Sequence, residues 1–102
     1  MIGIAPRAIL ACALTLAALG VQAEDKAARS IAATCTGCHG TNGVSACGIP
    51  TLAGLEAERI AGLMREFRDG KRPATVMHQH VKGYTDEQID AVAAWFAARK
   101  AR

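Results

Sequence analysis

The chain has 102 residues, enough for one domain at most, and its 12 basic and 9 acidic residues give a net charge of +3. It has no basic run with interleaved aromatic side chains, so nothing supports nucleic-acid binding. Hydrophobic residues make up 51% of the sequence, but many of them precede residue 24, so this fraction overstates the core.

The first 23 residues have the pattern of a secretory signal. Arg7 precedes a mostly apolar run over residues 8–20, and a small-residue site, VQA, follows. The run is too short to span a bilayer. We therefore expect cleavage after Ala23, export to the periplasm, and a domain over residues 24–102 without a membrane anchor. Cys12 lies too early in the apolar run for lipoprotein processing.

The exported domain opens with an Ala-rich segment, EDKAARSIAAT, which predicts a short helix running into Cys35. The motif Cys35-Thr36-Gly37-Cys38-His39 follows and is the signature of covalent c-type haem attachment. Each thiol can form a thioether to one haem vinyl group, and the adjacent His39 then becomes the proximal iron ligand. A chain of this size usually needs such a cofactor, because its core alone is small.

Two other interpretations of the cysteines fit the sequence less well. A thioredoxin-like motif requires a strand and a βαβ unit, of which the sequence shows no sign. A structural zinc site requires a second ligand pair, which only Cys47 with His78 or His80 would supply, at irregular spacing. The pattern favours haem.

The next segment predicts an irregular loop and then a helix over residues 55–69. The loop GTNGVSACGIP is rich in residues that interrupt regular structure, and we expect it to wrap the proximal side of the haem. The helix has apolar residues largely on one side and ends before Gly70. Met64 lies on that apolar face, so we interpret it as core rather than as an iron ligand.

The stretch PATVMHQH, residues 73–80, offers Met77, His78 and His80 as sixth ligands. It follows a proline and has no helical period, which predicts a loop able to present a thioether to the distal haem face. In an extended segment with Met77 inward, His78 points elsewhere and His80 reaches the haem rim. On chemistry alone Met77 is favoured, and a histidine or an open position remains possible.

A capping box, TDEQ at residues 85–88, starts the last predicted helix, which runs from residue 86 to about 99. Its core-facing residues recur at helical spacing: Ile89, Val92, Ala93 and Phe96. No strand signal or internal repeat occurs after residue 23, so the domain is predicted to be all-α.

Taken together, these motifs resemble a class I cytochrome c, and more narrowly the monohaem cytochrome subunit of flavocytochrome c sulfide dehydrogenases. The resemblance covers nearly all of residues 27–98. It is carried by CTGCHG at 35–40, IPTLAG at 49–54, FRDGKR at 67–72, TVM at 75–77 and KGYTDEQI at 82–89. The sequence departs from the family pattern at His78-Gln79-His80 and at Cys47.

The resemblance implies a small fold of three to four helices around one covalent haem c. In it Cys35 and Cys38 hold the haem, His39 is the proximal ligand and Met77 is the axial methionine. It also implies an electron-transfer subunit without a substrate site of its own, which accepts electrons from a FAD-containing subunit that oxidises sulfide. A downstream cytochrome or oxidase would receive them.

Several alternatives stay open from the sequence. The chain could be a free-standing electron carrier for another dehydrogenase or oxidase, a haem enzyme or gas sensor with a labile sixth ligand, or a metal–thiol module without haem. With Cys35 and Cys38 in thioethers, Cys47 has no partner within the chain. It is then either a buried small hydrophobe or an exposed thiol, and we expect burial.

Overall fold

The computed structural model describes residues 26–101, and the regular structure in this part of the chain is helical throughout. Helix α1 covers residues 26–39 and leads into a 3₁₀ turn at Thr41–Gly43. Three further helices follow: α2 (Ala57–Arg68), α3 (Met77–His80) and α4 (Asp86–Ala97). This confirms the all-α prediction. The predicted signal segment and its cleavage site lie outside the described residues.

The core lies where α2 packs against α4 and α3. Its largest fully buried side chains are Val81 and three residues of the predicted α4 stripe, Ile89, Val92 and Phe96. Burying each of them stabilises the fold by about 1.5–3 kcal/mol. Helix α1 contributes Ala32, which is 1% exposed, and a small side chain there lets α1 lie close to the other helices.

The start of α4 follows from local chemistry. The Thr85 hydroxyl accepts a hydrogen bond from the Gln88 backbone N–H at 3.2 Å, and the Gln88 side chain accepts one from the Thr85 N–H at 2.9 Å. The predicted capping box is therefore present. The helix ends at Ala97, two residues before the predicted end.

An exposed ion-pair cluster ties the last turns of α2 to the start of α4. Arg65 Nε lies 3.1 Å from Asp86 Oδ1, and Arg68 Nη1 lies 2.8 Å from the same oxygen. Hydrogen bonds from Arg65, and then from Arg68, hold the pKa of Asp86 below its usual value. The two helices therefore keep their relative position partly through charge as well as through packing.

Helix α1 runs into Cys35 as predicted and continues through the cysteine motif to residue 39. One prediction about the helices was wrong. The stretch around Met77 is not a loop, because Met77–His80 forms one helical turn. None of the helices in residues 26–101 is both long and apolar enough to cross a membrane.

Candidate functional site

The last turn of α1 brings the cysteine motif into one compact group. Cys35 and Cys38 are three residues apart on a helix, so their side chains lie on the same face. The helix ends at Gly40, whose φ of 89° is in the region that favours glycine. A Cβ at this position would also clash with the Val44 carbonyl. The turn therefore fixes where His39 stands relative to both thiols.

The His39 ring is oriented by the backbone of the following loop. Its Nδ1 lies 2.7 Å from the carbonyl oxygen of Pro50. A carbonyl can only accept, so Nδ1 carries a hydrogen, and in the neutral ring Nε2 then keeps its lone pair. An imidazole held this way is the arrangement that a metal-binding histidine requires. The contact has no signal in the residue pattern, although Ile49-Pro50 belongs to the stretch that carries the family resemblance.

The loop that supplies Pro50 is itself pinned at Gly43. The Gly43 carbonyl accepts hydrogen bonds from the N–H groups of Leu52, at 2.8 Å, and Ala53, at 3.1 Å. Gly43 is buried, has a φ of 79° and faces the ring of Phe96 so closely that a Cβ would lie 2.6 Å from Cδ1. Helix α4 thus supports the loop, and the loop orients His39.

The two thiols of the motif differ in their surroundings. Cys38 is exposed, whereas Cys35 is half-buried against the core. Burial raises the pKa of the Cys35 thiol, and a hydrogen bond with Thr34 partly opposes this rise. One sulfur therefore lies beside apolar side chains and the other near solvent.

Met77 is the first residue of α3 and packs, half-buried, against the same core cluster as Cys35. The preceding residue, Val76, is 61% exposed, so at this point the chain passes from an exposed side chain to a partly buried one. Met64 is only 7% exposed and belongs to the buried cluster itself. This agrees with its interpretation as core.

The two histidines of α3 have different environments. His80 is exposed and its Nε2 lies 3.2 Å from Thr34 Oγ1 on α1, so it does not stand free at a rim. His78 is half-buried, and its Nδ1 is buried without a hydrogen-bond partner among the described residues. The expected extended segment, with His78 simply pointing away from Met77, is replaced by a helical turn.

Cys47 is exposed, so the expectation of burial was wrong. The chain is held at Gly43 and again at Leu52, and the residues between them turn outward, which also leaves Ile49 40% exposed. A hydrogen bond from the Ile49 backbone, and a weaker one from Ser45, lower the pKa of the Cys47 thiol.

These donors fit a covalent haem better than the alternatives. The described residues provide two thiols on one helical face and an adjacent imidazole with a free Nε2. Within residues 26–101, no three His, Cys, Asp or Glu side chains come together as a metal cage. The zinc arrangement with Cys47 and the α3 histidines therefore does not form.

Comparisons with known proteins agree with this chemistry. The family model described as cytochrome C oxidase, cbb3-type, subunit III matches residues 22–96. The cytochrome subunit of sulfide dehydrogenase from Chlorobaculum tepidum is 44% identical over 63 residues, which are 62% of this chain and 57% of that protein. The thiosulfate dehydrogenase electron acceptor of Thiomonas intermedia is 39% identical over 98 residues, covering 92% of this chain and 45% of that protein.

The chain thus spans about half the length of these two relatives. Cytochrome c-554(548) of Halomonas halodenitrificans is closer in size: 34% identity extends over 66% of this chain and 86% of that protein. The family match, the haem-attachment motif of this chain and its all-helical fold over residues 26–101 agree. This chain belongs to the class I cytochromes c, electron carriers that bind haem c, and it is similar to the cytochrome subunit of sulfide dehydrogenase.

Proposed function

We propose that this chain is the one-haem electron-transfer subunit of a sulfide dehydrogenase of the flavocytochrome c type, in which FAD is bound by a partner subunit. The observation that carries the proposal is the 44% identity with the cytochrome subunit of sulfide dehydrogenase. The chain would act in the periplasm after cleavage of residues 1–23. It would have no substrate site of its own and would pass electrons to a downstream cytochrome or oxidase.

In this proposal Cys35 and Cys38 would hold the haem through thioethers, and His39 and Met77 would be the iron ligands that the protein supplies. When bound, the haem supplies one-electron exchange between ferric and ferrous iron. The Pro50 carbonyl keeps the His39 ring in the tautomer that leaves Nε2 available. Met77 and Cys35 border one core cluster, and this supports their proposed part in one haem site. With both axial positions filled, the protein would exchange electrons without binding a substrate at iron.

The axial assignment is tested by replacing Met77 with Ala in the haem-loaded protein. We expect loss of the red charge-transfer band of a methionine–iron bond in the oxidised protein, while His78→Ala, the matched control from the same turn, retains it. Persistence of the band in Met77→Ala, or its loss only in the control, would overturn the assignment. Carbon monoxide binding to the reduced wild type at neutral pH would instead support the labile-ligand alternative.

The partner is tested by kinetics. The oxidised cytochrome is mixed with sulfide in the presence and absence of the FAD-containing sulfide dehydrogenase subunit of the source organism, and haem reduction is followed by absorbance. We expect fast reduction only when the flavoprotein is present. Equal rates with and without it would refute the proposed donor.

A second candidate is an electron acceptor for thiosulfate dehydrogenase. It is favoured by the similarity to the Thiomonas intermedia protein, which extends over 92% of this chain. The same assay separates the two functions. If this second function is correct, the haem is reduced with thiosulfate and thiosulfate dehydrogenase but not with sulfide and the flavoprotein.

The location is tested by N-terminal sequencing of the protein isolated from the periplasm, which is expected to begin at Glu24.

A further inference from the structure

A hydrogen bond joins the α3 turn, which carries Met77, to helix α1, which carries the cysteine motif. Its two residues are far apart in sequence. His80 Nε2 lies 3.2 Å from Thr34 Oγ1, across 46 positions of the chain. Thr34 directly precedes Cys35, and His80 is three residues after Met77. The contact therefore joins the segment that attaches the haem to the segment that carries the proposed sixth ligand.

The direction of this hydrogen bond follows from the other partners of the hydroxyl. Thr34 Oγ1 donates its one hydrogen to the Ile31 carbonyl at 2.7 Å. Towards His80 it can then only accept, so His80 Nε2 must carry a hydrogen. A protonated Nε2 has no lone pair for iron. The contact thus withdraws Nε2 of His80 from iron ligation, despite the place of His80 in the turn.

Tyr84 completes the arrangement. Its hydroxyl lies 3.5 Å from Thr34 Oγ1, and its ring meets the His80 ring edge to face, with centroids 6.3 Å apart. Tyr84 is half-buried against the core, and its carbonyl accepts a hydrogen bond from Arg68 on α2. The His80 imidazole thus contacts the Tyr84 ring as well as the Thr34 hydroxyl.

We propose that Thr34 and His80 form a clamp that holds the α3 turn against α1 and so positions Met77 for the iron. The inference rests on the proposed axial role of Met77. His80 is a positioning residue here, since it acts through the placement of Met77. Four residues are too few for a stable isolated helix, so tertiary contacts such as this clamp must maintain the turn.

The test is displacement of the methionine by imidazole in the oxidised, haem-loaded protein, followed by loss of the methionine–iron band. Because the hydrogen bond is exposed, we expect Thr34→Val and His80→Phe each to lower the half-displacing imidazole concentration roughly two- to fivefold. The double variant is expected to fall no further than the single ones, because both remove the same contact. His80→Gln, whose amide can donate from a similar position, is expected to restore much of the wild-type value.

Thr36→Val is the matched control. Thr36 lies on the same helix and its hydroxyl also donates to the carbonyl three residues earlier, at 2.9 Å, but no hydrogen bond to α3 is made by it. It is expected to leave the imidazole midpoint unchanged. Equal midpoints for Thr34→Val and Thr36→Val, or additive effects in the double variant, would overturn the clamp. Absence of the methionine–iron band in the wild type would overturn the axial assignment and the clamp together.

Discussion

Gly43 links the proximal loop to the core, and replacing it with Ala offers a sharp test of that link. Its φ of 79° is unfavourable for any residue with a side chain. The added Cβ would lie 2.6 Å from Cδ1 and 2.9 Å from Cε1 of Phe96, a ring that is 1% exposed. A ring buried to that degree has little room to move away.

The magnitude combines two effects. A residue with a Cβ in the left-handed region costs about 1–2 kcal/mol, and an extra carbon in a packed core costs about 1–3 kcal/mol. Gly43→Ala is therefore expected to lower the free energy of unfolding by roughly 2–5 kcal/mol. For a domain of this size that lowers Tm by at least about 8 °C.

The assay is urea unfolding of the haem-loaded protein followed by far-ultraviolet circular dichroism. Gly48→Ala is the control, because Gly48 lies in the same loop and a Cβ there would meet nothing within 4 Å. It is expected to change the free energy of unfolding by no more than about 0.5 kcal/mol. If Gly43→Ala and Gly48→Ala have the same free energy of unfolding, Phe96 does not support the loop. The inference that α4 orients His39 through this loop would then be wrong.

Three further predictions concern other parts of the molecule. The pKa of Asp86 is lowered by Arg65 and Arg68, so its stabilising effect is complete above the unfolded pKa near 3.8 and is lost as the pH falls through the depressed folded value. Asp86→Asn should accordingly be less stable at neutral pH and lose less stability on acidification, and parallel pH profiles of urea midpoints would contradict this. Thr85→Ala removes the capping hydroxyl of α4 and should destabilise by about 0.5–2 kcal/mol in thermal unfolding, whereas an unchanged Tm would show that the cap contributes nothing. A thiol reagent added to the native haem-loaded protein over residues 24–102 should label Cys47 alone and should label nothing in Cys47→Ser, so further labelled thiols would argue against the thioethers.

The parts of the fold that depend on local signals could be predicted from the sequence. Helix α4 has both a start signal and a periodic apolar face, and its buried residues are those that the period indicated. Helix α2 begins two residues later and ends one residue earlier than predicted, because apolar spacing does not mark the exact end of a helix. The motif at Cys35 identified the cofactor class for a chemical reason, since few other arrangements need that spacing.

The parts that depend on distant contacts could not be predicted. The turn at Met77–His80 has no helical period of its own, and the hydrogen bond between His80 and Thr34 joins positions far apart in the chain. The exposure of Cys47 follows from how the loop is fastened at Gly43. Cysteine is on average among the most buried residue types. The exposure of Cys47 is instead decided by the hydrogen bonds that hold the loop at Gly43.

The hydrogen bond that orients His39 is accepted by a backbone carbonyl. This affects which substitutions the protein can tolerate during evolution. A substitution of a neighbouring side chain cannot delete the Pro50 oxygen, and the fastening at Gly43 also uses main-chain atoms. The exposed residues Ala46, Cys47 and Gly48 contribute no atom to these contacts, so substitutions there leave the orientation of His39 the same. Lineages can therefore adapt this surface to new redox partners without disturbing the chemistry beneath it.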